Sequence, residues 1–200
     1  GSIGCTTSSG IGKSQVDLTD GEILQVMAST ALIAEFASRV AGSDANVDTL
    51  IPDGVDIHGY QPPTDVVRSI SSAHLLLVNG FRLEEALLDV IIANRSDDST
   101  TVIVSRGIPT LESAESSHIH HDQDQDRDGD SLMFSEGDPH LWMDVRNAIF
   151  YVENIRAALI EIDPMHAPGY RERADAYVAE LEDLDFWVRE TVSDIPQHRR

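Results

Sequence analysis

Cysteine and long apolar runs are the scarcest features of this sequence. Cys5 is the only cysteine among 200 residues, which excludes an internal disulfide framework and a cysteine-rich zinc finger. The apolar runs are short, such as residues 75–78 and 102–104, whereas a membrane-spanning helix needs about 20 apolar residues. The hydrophobic content of 41% is enough for an ordinary buried core. These features predict a folded domain whose attachment to a membrane, if there is one, is indirect.

Positive charge is also scarce. The chain has 14 basic residues, with Lys13 as the only lysine, against 35 acidic ones, so its formal net charge is −21. A surface of this sign repels nucleic acid phosphates, and we therefore expect no nucleic acid partner. It also raises the local concentration of cations, which suits a metal-binding protein. Adaptation of a whole proteome to high salt gives the same balance, so the charge alone does not decide between the two.

The first 21 residues form a separate segment. Cys5 follows Ser2, Ile3 and Gly4 and precedes a polar stretch without hydrophobic periodicity. This pattern resembles the end of a bacterial or archaeal lipoprotein signal, with Cys5 as the lipidated residue. The apolar part of such a signal is not in the sequence, and Gly1-Ser2 is equally consistent with a cloning remnant. We expect residues 1–21 to be a flexible tether.

Strand and helix patterns alternate after this tether. Such alternation predicts a parallel sheet flanked by helices. Predicted strands cover residues 23–27, 47–51, 74–78 and 101–105, and predicted helices cover residues 30–42, 63–71 and 83–93. Two further helices follow, one from Val145 to Asp163-Pro164 and a longer one that ends near Ile195-Pro196. We expect an α/β lobe over residues 22–165 and a long linker helix over residues 166–200.

Residues 106–137 interrupt this pattern with a segment rich in His and Asp. It contains His118, His120 and His121 among many aspartates. Such a composition cannot build a packed core, so we expect a mobile surface loop. The three histidines are candidate auxiliary metal ligands, and an acidic loop that only increases solubility is the alternative.

Two other histidines lie between a predicted strand and a predicted helix. His58 and His140 occupy loops that should open at the carboxyl edge of the sheet, where open parallel sheets bind ligands. Neutral imidazole suits zinc, and also manganese or iron when carboxylates complete the coordination. Asp56, Asp138 and Asp144 are candidate acceptors for the free ring N–H groups. A loop histidine that is only solvated or caps a helix is the alternative for each of the two.

Several motifs resemble the metal-specific solute-binding proteins of ABC importers, the zinc and manganese receptor family. The resemblance covers residues 24–200. It is carried by His-Gly-Tyr-Gln-Pro at 58–62, Val-Asn-Gly at 78–80, Gly-Asp-Pro-His-Leu-Trp-Met-Asp at 137–144, Arg-Asn-Ala at 146–148, and Asp163-Pro164 followed by Tyr170, Tyr177, Leu181 and Leu184. Ile57 and Gly59 depart from the family pattern, which commonly has proline before this histidine and an acidic or polar residue after it.

The resemblance implies a function and a site. It implies that His58 and His140 are metal ligands of an extracytoplasmic protein, periplasmic or lipid-anchored through Cys5, that delivers a divalent metal to an ABC permease and its ATPase. The family's second α/β lobe, which supplies the other ligands, is missing from these 200 residues. The His-rich segment matches an insertion common in zinc receptors, which favours zinc over manganese.

Two other functions stay open at this point. A surface metal buffer or adhesin-like protein would use the His/Asp segment and not the cleft. A metal-dependent hydrolase would need an open coordination position and a general base, and the sequence shows no nucleophile motif or phosphate-binding loop.

Overall fold

The protein has a four-stranded parallel sheet in the order β2-β1-β3-β4, seen in a computed structural model. The structure describes residues 22–109, 135, 137–196 and 199. The strands are β1 Leu24–Thr30, β2 Ala45–Ile51, β3 Leu75–Val78 and β4 Thr100–Ile103. The helices are α1 Ala31–Ala41, α2 Thr64–Ser72, α3 Glu85–Asn94, α4 Val145–Ile162 and α5 Ala167–Ser193. A short 3-10 turn, Leu141–Met143, precedes α4, and another, Pro164–His166, joins α4 to α5.

The sheet is covered on both faces because its central strands are apolar on both sides. On β3, Leu75 and Leu77 belong to one buried cluster, whereas Leu76 and Val78 belong to the other. The first cluster includes residues of α1, α4 and α5, and the second includes residues of α2 and α3. Successive side chains of a strand point to opposite faces, so a continuous apolar run signals burial on both.

Local signals set the ends of α1. The Thr30 side chain accepts a hydrogen bond from the Ile33 N–H and so caps the first turn. Gly42 ends the helix with φ +58, a left-handed conformation that glycine adopts without steric cost. The turn between β1 and α1 is therefore tight, and it lies at the carboxyl edge of the sheet.

The helix α5 continues beyond the part of the lobe against which it packs. Tyr170, Ala174 and Leu181 are buried against the first cluster, while Phe186 and Trp187 are 67% and 61% exposed. Arg173 fastens the packed end, because its guanidinium donates to the backbone oxygens of Val40 and Ala41. The contact is close enough that Gly42 has no room for a Cβ beside Arg173.

The predicted fold class is confirmed, with small shifts at the strand ends. The strand predicted over residues 23–27 extends to Thr30, and the one predicted over 101–105 ends its ladder at Ile103. Residues 106–109, assigned to the His/Asp loop, lie in a turn where Ile108 is buried. Asn154 holds this turn by donating to the backbone oxygens of Val104 and Arg106. The tether 1–21 and residues 110–134 lie outside the described residues.

Within the described part of the chain, no helix is both long and apolar enough to cross a bilayer. This includes the 27-residue helix α5, whose outer surface is charged.

Candidate metal centre

The structure brings His58 and His140 together at the carboxyl edge of the sheet. Their ring centroids lie 5.9 Å apart, with an interplanar angle of 65°. His58 is in the loop that follows β2, and His140 directly precedes the 3-10 turn that leads into α4. The two residues are 82 positions apart in sequence, from 58 to 140, so only the fold makes them neighbours. An ion about 2 Å from each ring nitrogen could be shared by both with small ring movements.

Asp138 fixes the orientation of the His140 ring. Its Oδ1 accepts hydrogen bonds from the His140 backbone N–H at 3.0 Å and contacts Nδ1 of the ring at 2.9 Å. The two hydrogen bonds from His140, the backbone one first, hold the pKa of Asp138 below its usual range. An ionised carboxylate only accepts, so in the neutral imidazole Nδ1 carries the proton and the Nε2 lone pair is left for a metal. Of the three predicted aspartates, Asp138 alone contacts an imidazole ring.

Asp56 and Asp144 act on the backbone. Asp56 Oδ1 accepts a hydrogen bond from the His58 backbone N–H at 3.1 Å and so shapes the His58 loop. Asp144 caps α4 by accepting from the Arg146 N–H, and its carboxylate also pairs with the Arg146 side chain. Those contacts with Arg146 lower the pKa of Asp144. In the structure Asp144 caps α4 and pairs with Arg146, and the contact to a histidine ring that was expected of it stays a prediction.

Trp142 contributes an aromatic wall to the site. Its ring lies 5.5 Å from the His140 ring in an edge-to-face arrangement. It also lines an open cavity together with Thr30, Ile51 and Ile57 at the start of α1. The two histidines are accessible, since His58 is exposed and the His140 side chain is 40% exposed. The two imidazoles therefore lie at the surface beside this cavity, and Trp142 contacts both the cavity and the His140 ring. The two histidine rings and this cavity are together called the cleft below.

The remaining candidate site residues are not among those that the structure describes. Cys5, His118, His120 and His121 are outside the described residues. His74 and His166 have structural partners, since His74 Nδ1 accepts from the Gln25 N–H and His166 Nδ1 contacts Asp163. Across residues 22–109, 135, 137–196 and 199, no group of three or more His, Cys, Asp or Glu side chains is placed to hold a metal. The described lobe thus offers two imidazoles at one point.

A buried polar group at the same edge of the sheet was not predicted from the sequence. Glu84 is 0% exposed, although its segment was assigned to a helix without a functional role. It lies next to Asn79, also 0% exposed, at the end of β3. The only signal in the sequence is an Asn-Gly pair directly after an apolar strand, which marks a turn and does not reveal burial.

Comparisons with known proteins place the chain in a family. The family model ZnuA, described as zinc-uptake complex component A, periplasmic, matches residues 26–200. The chain belongs to this family. The suspected resemblance is therefore confirmed for the described lobe and for α5.

Curated relatives carry the names of different metals. The manganese-binding lipoprotein MntA of Halalkalibacterium halodurans is 32% identical over 181 residues, which cover 90% of this chain and 54% of the relative. The iron-binding protein YfeA of Yersinia pestis is 34% identical over 180 residues, which cover 88% of this chain and 51% of the relative. The chain thus spans about half the length of the curated relatives it matches.

Solved structures agree on the fold. The periplasmic zinc-binding protein TroA from Treponema pallidum matches with a TM-score of 0.73 at 26% identity, over 87% of this chain and 57% of that protein. A manganese-bound periplasmic metal-binding protein from Candidatus Liberibacter asiaticus matches with a TM-score of 0.66 at 30% identity, over 78% and 52%. The fold is therefore that of one part of a metal-binding solute receptor.

Proposed function

We propose that this chain supplies two ligands, His58 and His140, to a divalent transition metal carried by an extracytoplasmic solute-binding protein of an ABC importer. The observation that supports it is the 5.9 Å separation of the two rings at the carboxyl edge of the sheet. Family membership supports the same function. The metal is cargo in this proposal: the protein binds and releases it, and the permease and its ATPase move it.

The chemistry of the two rings supports a transition metal over Ca²⁺ or Mg²⁺. Neutral imidazole is a ligand for zinc, iron or manganese, whereas calcium and magnesium take oxygen ligands. His140 is already held in the tautomer that leaves Nε2 free, and such a hydrogen bond from the second ring nitrogen is typical of metal-ligating histidines. Zinc is the first candidate because two nitrogen ligands suit it. The relatives are named for manganese, iron and zinc, so both zinc and manganese should be titrated.

Two imidazoles fill half of a tetrahedral shell. We therefore expect binding by residues 1–200 to be weaker than in a closed four-ligand site. The remaining positions would be filled by water or by groups from outside the described residues. The relatives, of which this chain spans about half, have further length from which such groups could come.

Localisation follows from the same proposal. Relatives are named as lipoproteins, and the family description is periplasmic. We propose that Cys5 is the lipid-anchored residue, which would hold the receptor at the outer face of the cell membrane, near its permease. Mass spectrometry of the membrane fraction would test this, because a diacylglyceryl group on Cys5 should be lost in a Cys5→Ala variant.

The site is tested by calorimetric titration of chelator-treated protein with zinc and with manganese. We expect saturable binding in the wild-type chain and its loss in a His58→Ala, His140→Ala double variant. His166→Ala is the matched control, since His166 lies beyond the far end of the 18-residue helix α4, about 27 Å along its axis from the site. This control should bind as wild type.

A deletion of residues 117–131 separates the cleft from the His/Asp segment. A receptor that uses the cleft keeps its binding after this deletion. If binding is unchanged in the double histidine variant and lost in the deletion, the chain is a metal buffer that uses the segment, and the assignment of His58 and His140 is wrong.

A further inference from the structure

Glu84 is a buried carboxyl at the carboxyl edge of the sheet. Its Oε1 accepts hydrogen bonds from the Ser29 hydroxyl at 2.5 Å and from the Asn79 backbone N–H at 2.6 Å. Ser29 is near the end of β1, and Asn79 follows β3 directly. Glu84 therefore connects two neighbouring strands at the edge where the two histidines lie.

This placement has a clear energetic cost. Glu84 is 0% exposed, and no described residue gives a hydrogen bond to its Oε2. Burial raises the pKa of the carboxyl, and the hydrogen bonds from the Ser29 hydroxyl and from the backbone N–H groups of Asn79, Glu84 itself and Gly80 oppose only part of that effect. The segment that leads to it is also strained, since Phe81 and Arg82 have φ values of 53 and 57, which non-glycine residues rarely adopt. A costly residue in a strained segment next to a candidate site suggests a functional reason for keeping it.

Asn79 carries the effect of Glu84 towards His140. Its Nδ2 donates to the backbone oxygen of Pro139 at 3.0 Å, and Pro139 is the residue before His140. Its Oδ1 accepts from the Tyr151 hydroxyl at 2.6 Å, which fixes which way the amide faces. Its backbone oxygen accepts from the Ser105 hydroxyl at 2.5 Å. Asn79 is therefore held on every side, and one of its contacts is the loop that bears His140.

The same segment touches the loop of His140 at a second point. A Cβ added at Gly137 would lie 2.9 Å from Cδ1 of Phe81, so the two residues are in close contact. Residues 137–140 are thus held by a hydrogen bond from Asn79 and by the packing of Phe81. The loop of His58 has a different support, since the His58 backbone N–H donates to Oδ1 of Asp56 in the same loop.

We propose that Glu84 is a positioning residue for the metal site, which acts through Asn79 and Pro139 to hold His140, and not His58, in its metal-binding orientation. This inference rests on the proposed function, in which His140 is a ligand. A purely structural role would loosen both histidines together or neither. The positioning role predicts an asymmetric effect.

The variants are chosen to separate these two roles. Glu84→Leu removes the acceptor for Ser29 and Asn79 at a similar size. Glu84→Gln keeps an oxygen acceptor and should restore wild-type behaviour. Glu85→Leu is the matched control, because Glu85 is exposed and pairs on the surface with Arg82. Should Glu84→Leu fail to fold, Tyr151→Phe weakens the same network by deleting one hydroxyl while the ring stays in the core.

The first measurement is ¹⁵N NMR of the histidine rings in metal-free protein, well below the melting temperature. In wild type, His140 should show protonated Nδ1 and unprotonated Nε2. In Glu84→Leu or Tyr151→Phe we expect the two ring nitrogen signals of His140 to move towards the average of its two tautomers. The His58 signals should stay as in wild type. Unchanged His140 signals, or equal changes at both histidines, would overturn the proposal.

The second measurement is zinc affinity by competition with a chromogenic chelator. We expect Glu84→Leu to weaken zinc binding about tenfold or more, as is typical when support of a ligand is lost, and Glu84→Gln and Glu85→Leu to stay within about twofold of wild type. Equal affinity in Glu84→Leu and wild type would count against the proposal. If wild type binds no zinc while the His140 signals still follow Glu84, the positioning role holds and the proposed function fails.

Discussion

Replacing Glu84 by glutamine should change how the stability of this protein depends on pH. The ordinary pKa of a glutamate in an unfolded chain is about 4.3. Burial raises the pKa of Glu84 in the folded protein. Between these two values the folded protein binds more protons than the unfolded chain, so stability must fall as the pH rises. Below the pKa of the unfolded chain, Glu84 is protonated in both states, so its titration no longer changes the stability with pH.

The size of the effect follows from proton linkage. While Glu84 is protonated in the folded state and ionised in the unfolded state, the free energy of unfolding drops by about 1.4 kcal/mol per pH unit. For a chain of this size that corresponds to about 3–5 °C in melting temperature per pH unit. Glutamine cannot ionise, so this contribution disappears in Glu84→Gln. Tyr151, whose pKa burial also raises, stays neutral through the same range.

The assay is urea unfolding at several pH values between about 4.5 and 7.5. The quantity to plot is the difference in unfolding free energy between Glu84→Gln and wild type, because charge effects of the other acidic residues are common to both proteins. We expect this difference to rise with pH, in favour of the variant. Glu85→Gln, on the exposed neighbour, should give a difference that hardly varies. A flat line for Glu84→Gln would mean that the carboxyl ionises as easily in the folded protein as in the unfolded chain, and the burial argument would be refuted.

Two further variants test the packing and the cleft. Ile155→Ala should lower the free energy of unfolding by about 2–5 kcal/mol, because Ile155 on α4 is 0% exposed in the first cluster. Ile92→Ala, at a position 40% exposed, should lower it far less. Similar losses for the two variants in urea unfolding would contradict the assigned core. Any zinc-dependent change in tryptophan fluorescence should be lost in Trp142→Phe and kept in Trp187→Phe. The ring centroid of Trp142 lies 5.5 Å from that of His140, whereas Trp187 is on the exposed part of α5. The reverse result would place the metal elsewhere.

The sheet could be predicted because its signals are local. Apolar runs of strand length, the Thr30 cap and the Gly42 stop are all visible in the sequence. The end of β1 was less predictable, since Ala28 has low strand propensity and yet is paired with Thr49 on one side and Leu77 on the other. At the other edge, β4 ends at Ile103, and beyond it the Ser105 hydroxyl donates to the Asn79 backbone oxygen.

The candidate site was predictable in part for a related reason. Loops at the carboxyl ends of parallel strands open on the same side of the sheet, so His58 and His140 could be expected on that side. Their contact could not be expected from the strand order, because β2 and β4 lie at opposite edges of the sheet. The role of Asp144 was harder to predict, because an aspartate directly before a helix is equally a capping residue. The structure shows the cap. Glu84 could not be predicted as a buried residue. A glutamate at the start of a helix is ordinarily exposed, and only the packing of β1 and β3 around this one encloses it.

The support of His140 matters more in a site with two protein ligands than in one with four. In a closed site, each ligand is held in place partly by the other ligands through the metal. In the proposed site the described lobe would contribute two imidazoles, and the His58 loop is exposed, so an ion would meet one ring with a fixed orientation and one with more freedom. The hydrogen bonds of Asp138 and Asn79 to the His140 segment remove much of the ordering cost before the metal arrives. We therefore expect His140→Ala to weaken zinc binding more than His58→Ala in the calorimetric titration, and the opposite order would show that the fixed ring is not the first ligand to engage.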